Sequence, residues 1–247
     1  MKAVELWQPS KFVQSVKTGR WVANRKHVSA GSWYIVDLFA PVYEQVIRAY
    51  ARGRLLDLGC GMVPFYGMYK DLVAENVCID WANSLHSNPH LDVVADLNQS
   101  FPLPDASFDT VLCSDVLEHI AEPAAFLRET ARVLKPGGTL LLMVPFFYWL
   151  HEQPHDYFRY TEFALRRMCG QAGFAIQSIE AYGGYPDVVL DILSKGLARR
   201  SWLVRPFLWL TQPMSQSGFG GRWRQRTATT FPLGYVVVAE TPRVPKV

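Results

Sequence analysis

The chain has only four cysteines, Cys60, Cys78, Cys113 and Cys169, and no two of them form a CxxC pair. That spacing argues against a zinc cluster and a disulfide framework, and for a reducing cytosol. Long apolar runs are also missing. The longest, Thr139 to Leu150, is about a dozen residues and contains Pro145, whereas a spanning helix needs about 20. The opening residues, MKAVELWQPSKF, lack an apolar core, so no secretory signal is expected there. No internal repeat or low-complexity tract occurs. Charged residues make up 19% of the 247 and hydrophobic residues 49%, which excludes a disordered chain and suffices for one α/β domain with extra length.

The net charge of +3 conceals an asymmetry. Residues 1–30 carry six Lys/Arg and one acid, Glu5; residues 31–191 carry ten basic and twenty acidic groups; residues 192–239 carry seven basic groups and no acid. Such flanks either keep the chain soluble or face something anionic: a phosphate, a lipid surface or a nucleic acid.

Residues 33–51 have apolar positions at helical spacing around Pro41 and predict a broken amphipathic helix. Alternation follows. Strands are predicted at 54–58, 76–80, 91–95, 108–113, 138–144, 174–181 and 233–239, with helices at about 65–73, 122–134 and 162–172. Thr161 is placed to cap the last helix and Gly173 to end it, while the turn Lys135-Pro136-Gly137-Gly138 closes the one before. Short apolar strands separated by helices indicate a parallel sheet covered on both faces, with ligands beyond the strands' carboxyl ends.

The first of these strands runs into Asp57-Leu58-Gly59-Cys60-Gly61-Met62-Val63-Pro64. Two glycines allow a tight turn and a close backbone approach. A dinucleotide fingerprint needs a third glycine where Pro64 stands, and proline removes an amide that a pyrophosphate would use. The loop therefore suits a nucleoside without phosphates, or is a plain structural turn. Asp80 ends the second strand, where a carboxylate can accept from ribose hydroxyls; Asp96 follows the third, where it can accept from an exocyclic amine.

LLDLGCG, VCID, VADLNQSFPLPDASFD, VLCSDVLEHI and RETARVLKPGGTLLLMVP, in that order, resemble the motifs of class I S-adenosylmethionine-dependent methyltransferases, closest to the type 11 group. The resemblance covers about residues 54–181. It implies a Rossmann-like α/β fold: a doubly wound, mostly parallel seven-stranded sheet with one antiparallel strand at the sheet edge, matched by 234–240. It also implies S-adenosylmethionine as cofactor. Asp57, Gly59 and Gly61 would surround its amino-acid part, Asp80 would hold the ribose, Trp81 would pack on the adenine, and Asp96 with Leu97 would meet the adenine amine. Ser114 would lie under the methionyl portion, and Asp115 to His119 would line the floor near the sulfonium. The organisation expected is a helical, basic extension at 1–53 and a methyltransferase domain at 54–247, with 182–231 inserted before the last strand for substrate recognition or as a lid.

The fourth strand is followed by Ser114-Asp115-Val116-Leu117 instead of Asn-Pro-Pro-Tyr, which argues against methylation of amino groups of adenine and glutamine. The segment from Phe146 to Thr161 lies at the ligand-binding rim and is rich in aromatics, with His151, Glu152, His155, Asp156 and Arg159. Similar runs occur in type 11 relatives acting on small molecules or glycolipids. His155 beside Asp156 is the first candidate for general base and His151 the second. Tyr148, Tyr157, Arg159 and Tyr160 are candidates for the acceptor. Alternatively, Asp156, Arg159 and Tyr160 form a structural corner and the histidines shape the pocket. A metal held by His151, Glu152 and His155 is disfavoured, because Pro154 opposes the helix that would align them; no metal is expected. Residues 188–210 alternate apolar groups with Lys/Arg and are either a membrane-surface helix or an ordinary lid, broken at Pro206.

The expected activity is methyl transfer to an oxygen of a small molecule, sugar or lipid-linked glycan. The expected setting is the cytoplasm, with peripheral contact at the inner membrane surface. The alternatives are an RNA-modifying enzyme, which the absence of an RNA-binding module disfavours, and a non-catalytic cofactor-binding partner protein.

Overall fold

The computed structural model describes residues 1–81 and 88–243, so the last four residues of the expected 54–247 domain lie outside the described residues. In chain order, β1 (Phe12–Gln14) and β2 (Trp21–Ala23) precede α1 (Trp33–Tyr50), β3 (Gly53–Leu58), α2 (Tyr66–Tyr69) and β4 (Val73–Asp80). Then come β5 (Val93–Val94), β6 (Phe108–Ser114), α3 (Pro123–Val133), β7 (Leu134–Pro145), α4 (Glu162–Gln171) and β8 (Ala175–Tyr182). Helices α5 (Tyr185–Leu197), α6 (Ser201–Gln216) and α7 (Gly218–Thr227) lead to β9 (Gly234–Glu240).

Two compact units share the chain. The first comprises Met1–Gln8, Val46–Glu180 and Tyr235–Val247; the second comprises Pro9–Gln45 and Ala181–Gly234. The 1–53 segment is therefore divided. Its middle part clusters with the long insertion, while its first eight residues belong to the sheet unit, where the Trp7 indole donates to the Val63 carbonyl at 3.0 Å.

The first unit is built on a seven-stranded sheet in the order β5-β4-β3-β6-β7-β9-β8, in which β3 pairs in parallel with β4 and β6, β4 with β5, and β6 with β7. This is the doubly wound Rossmann-like arrangement, with the order reversing between β3 and β6, so the ligand crevice lies beyond these two strands. The strand interiors carry the core: Leu55, Leu56, Leu58, Val111, Leu112 and Leu140–Val144 are buried. Gly234–Glu240 is not at the sheet edge, as expected, but between β7 and β8. Tyr235–Ala239 are all buried, which suits an interior strand flanked on both sides.

Four local expectations change. The 65–73 helix shrinks to Tyr66–Tyr69 and β4 already starts at Val73; Gly67 lowers helix propensity in so short a segment. Strand 91–95 pairs only through Val93 and Val94. The Lys135–Gly138 turn lies inside β7: Phe108 pairs with Leu134 but Thr110 with Thr139, so the extra residues bulge out of the ladder. The helix at 33–50 runs unbroken through Pro41, because proline removes a single amide donor while Phe39, Ala40, Tyr43 and Ile47 stay packed. At the other end, Thr161 caps α4 by accepting from the Ala164 amide at 3.2 Å, and Gly173 takes φ +92° just beyond it.

In the second unit, β1 and β2 form an antiparallel hairpin beside the α1 N-terminal turns and α5–α7. Its polar centre is Asp187, which is fully buried and accepts from Tyr34 at 2.6 Å and from two Arg224 nitrogens at 2.7 and 2.8 Å. Gly31 lets the chain approach α5 closely, since a Cβ there would stand 2.8 Å from the Ala198 Cβ. Pro206 and Pro213 lie within α6, which is not broken at Pro206.

Candidate cofactor cleft and rim

Loops after β3, β4, β5 and β6 meet the loop after β7 around a cleft of about 420 Å³, within the range of about 300–1,000 Å³ typical of small-molecule sites. Its wall includes Gly59, Gly61, Asp80, Trp81, Asp96, Leu97 and His119, together with Asp115, Val116 and the rim residues Glu152 to His155.

Each wall residue has a local cause. Gly59 takes φ +72°, and a Cβ there would fall 2.4 Å from Val116 Cγ2, so only glycine fits. Gly61, at φ +48°, is different: a Cβ on it would meet nothing within 4 Å, and the missing side chain leaves space beside the backbone for a ligand. Asp80 holds the loop in place, accepting from the Gly61 and Trp81 amides, both at 2.8 Å. Asp96 accepts from the Asn98 amide at 2.9 Å in a local turn, and Asn98 in turn accepts from Ala121 at 2.8 Å. Asn98, which the sequence motifs do not single out, also lines the cleft; its signal is the Asp-x-Asn spacing that such a turn favours. Two wall residues without the freedom of glycine, Asp115 and Glu152, have positive φ (54° and 50°), strain of the kind that gathers at functional loops.

Asp57 and Ser114 do not reach the wall. Asp57 sits one residue before the end of β3, is buried, and accepts from the Tyr69 hydroxyl at 2.8 Å. Burial, and secondarily the Asp80 charge, push its carboxyl up to about 7. Ser114 Oγ is buried with no hydrogen-bond partner.

The rim loop divides likewise. His155 lines the cleft, with Nδ1 3.0 Å from the Tyr157 hydroxyl and its ring edge-on to Trp81 at 5.3 Å. Asp156 does not pair with His155. Its side chain is 2% exposed, accepts from two Arg159 nitrogens at 2.5 and 2.8 Å and from the His151 amide at 2.9 Å. Arg159 also donates to the Tyr148 and Trp149 carbonyls, and the Tyr160 hydroxyl to the Leu117 carbonyl at 3.0 Å. Asp156, Arg159 and Tyr160 thus staple the loop, and the Arg159 charge helps to hold the Asp156 carboxyl down at about 2 against the opposing effect of burial. Tyr148, Tyr157 and His151 also lie off the wall; the His151 ring packs against Tyr148 and His119.

The donor set fits a nucleoside cofactor without phosphates. Carboxylates Asp80 and Asp96 can accept from hydroxyl and amine groups, Trp81 offers an aromatic surface, and Gly61 leaves the room.

Comparison with known proteins agrees. The family model described as a methyltransferase domain, type 11, matches residues 56–142. A probable S-adenosylmethionine-dependent methyltransferase of Mycolicibacterium smegmatis is 30% identical over 109 residues, 42% of this chain and 42% of that protein. A ubiquinone biosynthesis O-methyltransferase of Xanthomonas euvesicatoria is 38% identical over 105 residues, 37% of this chain and 43% of the relative. The chain thus spans about two fifths of the curated relatives it matches. Among solved structures, the [4+2]-cyclase SpnF superposes with a TM-score of 0.56 at 20% identity, over 90% of this chain and 86% of that one. A methyltransferase-like protein of Bacillus halodurans gives 0.52 at 17%, over 80% and 97%. These two likenesses concern the fold. The family match and the fold together imply S-adenosylmethionine as the cofactor.

Proposed function

We propose that this chain, whose residues 56–142 form an S-adenosylmethionine-dependent methyltransferase domain of type 11, methylates a hydroxyl oxygen of a small molecule, sugar or lipid-linked glycan. The observation that carries the reading is an imidazole, His155, on the same cleft wall as the carboxylates suited to the cofactor. The cofactor supplies a methyl group on a sulfonium that departs as a neutral thioether. The chain's own share is alignment and removal of one proton. In the tautomer that donates Nδ1–H to the Tyr157 oxygen, His155 Nε2 is the basic nitrogen and takes the acceptor's hydroxyl proton as the new O–C bond forms. Trp81 supplies aromatic surface for the adenine. Oxygen as the acceptor atom is supported by the ubiquinone O-methyltransferase relatives and by the absence of Asn-Pro-Pro-Tyr after β6.

The likeness to a cyclase means that the test must read methyl transfer itself. Protein incubated with S-adenosyl-[methyl-labelled]methionine and cell extract should label the lipid or glycan fraction in base-stable form. Label confined to RNA would favour the nucleic-acid alternative, and no label anywhere would favour a non-catalytic binding role.

We further propose that the second unit docks on an anionic lipid surface. No described helix is long and apolar enough to cross a membrane. In α6, Val204 and Leu208 are buried, whereas Trp202, Arg205, Trp209 and Leu210 form an exposed stripe on the opposite side. Of the seven basic groups in 192–239, Lys195 and Arg224 pair with the buried Asp191 and Asp187. Arg199, Arg200, Arg205, Arg222 and Arg226 remain without a described carboxylate partner, and each engaged arginine contributes about 1 kcal/mol at an acidic surface. Co-sedimentation should be strong with vesicles rich in phosphatidylglycerol and weak with phosphatidylcholine, and should fall in 1 M salt or in Arg199→Glu/Arg200→Glu. Equal binding to both vesicle types, or none, sinks the idea.

A further inference from the structure

Glu118 lies in the short helical turn Leu117–His119 after β6, and its side chain is fully buried. Neither carboxylate oxygen has a hydrogen-bond partner. An ionised carboxylate in that state costs several kcal/mol unless a cation faces it. Arg159 does not serve, because its guanidinium is committed to Asp156 and to backbone carbonyls. Glu118 Oε1 instead stands 3.8 Å from Nε2 of His119 and 3.8 Å from Nε2 of His151.

Both imidazoles are held from behind. His119 Nδ1 is 2.9 Å from the His155 carbonyl, and His151 Nδ1 is 3.3 Å from the Trp149 carbonyl and 3.4 Å from Asp156 Oδ2. Carbonyl and carboxylate oxygens only accept, so each Nδ1 carries the hydrogen and each Nε2 keeps its lone pair. His119 Nε2 is itself buried with no hydrogen-bond partner. One carboxylate oxygen and two imidazole nitrogens therefore converge, all within 4.8 Å, and an ion bound there would displace any proton the buried carboxyl holds. Imidazoles fixed through Nδ1 by carbonyl or carboxylate are the usual outer support of a metal site.

We propose that Glu118, His119 and His151 bind a divalent transition-metal ion of the zinc class. Metal–ligand distances of about 2.0–2.2 Å put tetrahedral ligand atoms about 3.3–3.6 Å apart, so the two 3.8 Å separations need to close by a few tenths of an ångström and the His119–His151 separation, at up to 4.8 Å, by about an ångström at most. Glu152 Oε2, 3.8 Å from His119 Nε2, is a candidate fourth ligand on an exposed residue of the cleft wall. Three protein ligands with a replaceable fourth leave a position open toward the cleft. A nitrogen-and-carboxylate set favours zinc, cobalt or manganese over magnesium. This set differs from the His151, Glu152 and His155 group that Pro154 disfavours in sequence: the missing members come from the turn after β6, more than thirty residues earlier. If the methyl-transfer reading holds, the ion would stand where an acceptor hydroxyl could be polarised.

The test uses the full chain, free of affinity-tag histidines, stripped with chelator and dialysed. Calorimetry with zinc alone, without cofactor or acceptor, should give one site per chain, and the cobalt-loaded protein should show visible d–d absorption. His151→Ala, at a half-buried rim position, should weaken zinc by more than the roughly 10–100-fold typical of losing an outer partner. Glu118→Gln should weaken it similarly, since a carboxamide keeps the side chain's shape but is a far poorer ligand than a carboxylate. His27→Ala, in the other unit, should change nothing. Absence of a stoichiometric site, or zinc binding indifferent to both His151→Ala and Glu118→Gln, overturns the proposal. Because the readout is binding alone, zinc uptake without methyl transfer upholds the site and sinks only the proposed activity; methyl transfer without zinc uptake does the reverse.

Discussion

The loops after β3 to β6 and the loop after β7 face one cleft but are built in different ways. In the first set, the residue that follows the strand is the residue on the wall: Gly59 and Gly61 after β3, Asp80 and Trp81 at the end of β4, Asp96 after β5, Asp115 after β6. Each of these residues lies within three positions of its strand's last residue, so the strand end aims it. The rim loop runs from Phe146 to Tyr160, too long for a strand end to aim. There an ion pair takes over. Asp156 and Arg159 tie the backbone at Tyr148, Trp149 and His151, and only Glu152 to His155 are left facing the cleft. A polar residue beside a strand end tends toward ligand work, whereas one in the middle of a long loop is first needed to hold the loop.

The sharpest way to break this contrast is His155→Ala. If the staple exists to present His155, turnover should fall by about 10²–10⁴, or about 3–5 kcal/mol, while cofactor affinity stays within about twofold. A change in cofactor affinity with normal turnover would place His155 on the cofactor side instead.

Asp57 probes the interior behind the wall. Its folded carboxyl is pushed up to about 7, so between about pH 4 and 7 the folded chain holds a proton that the unfolded chain releases. Stability from this group is present at low pH and is lost as pH rises to about 7. Asp57→Asn should remove that slope and exceed the parent at pH 8 by on the order of 2–4 kcal/mol in urea unfolding. Parallel pH profiles for parent and variant would show that Asp57 does not titrate there.

Asp80→Ala should weaken S-adenosylmethionine by about 1.5–3 kcal/mol in calorimetry, as expected for a hydrogen bond to a charged group. Part of that loss comes through the Gly61 and Trp81 amides, which lose their acceptor. Unchanged affinity would remove Asp80 from cofactor recognition.

The smallest effect is acid sensitivity of the rim. The Asp156 carboxyl is held down at about 2, so the staple is intact above about pH 4 and is lost as pH falls toward 2. Asp156→Asn should cost about 1–2 kcal/mol at pH 7, discounted because Arg159 is partly solvated, and nothing near pH 2. Amide exchange at 148–160 would show it; equal protection in parent and variant at pH 7 would mean the loop does not depend on the pair.

The alternating strands, the glycine turn after β3 and the acids that end β4 and follow β5 were legible in the sequence, because strand period, glycine conformation and nearness to a strand end are local properties. It could not show that Pro41 and Pro206 lie inside continuous helices, since the packing that offsets a lost amide comes from distant residues. Nor could it show that Gly234–Glu240 lies inside the sheet, that Asp57 turns inward to Tyr69, or that Trp7 braces Val63. The meeting of Glu118 and His119 with His151 was equally hidden. Glu118 and His119 are read in sequence only as part of the cofactor floor and His151 only as a candidate base, and more than thirty residues separate them, a distance no local pattern spans.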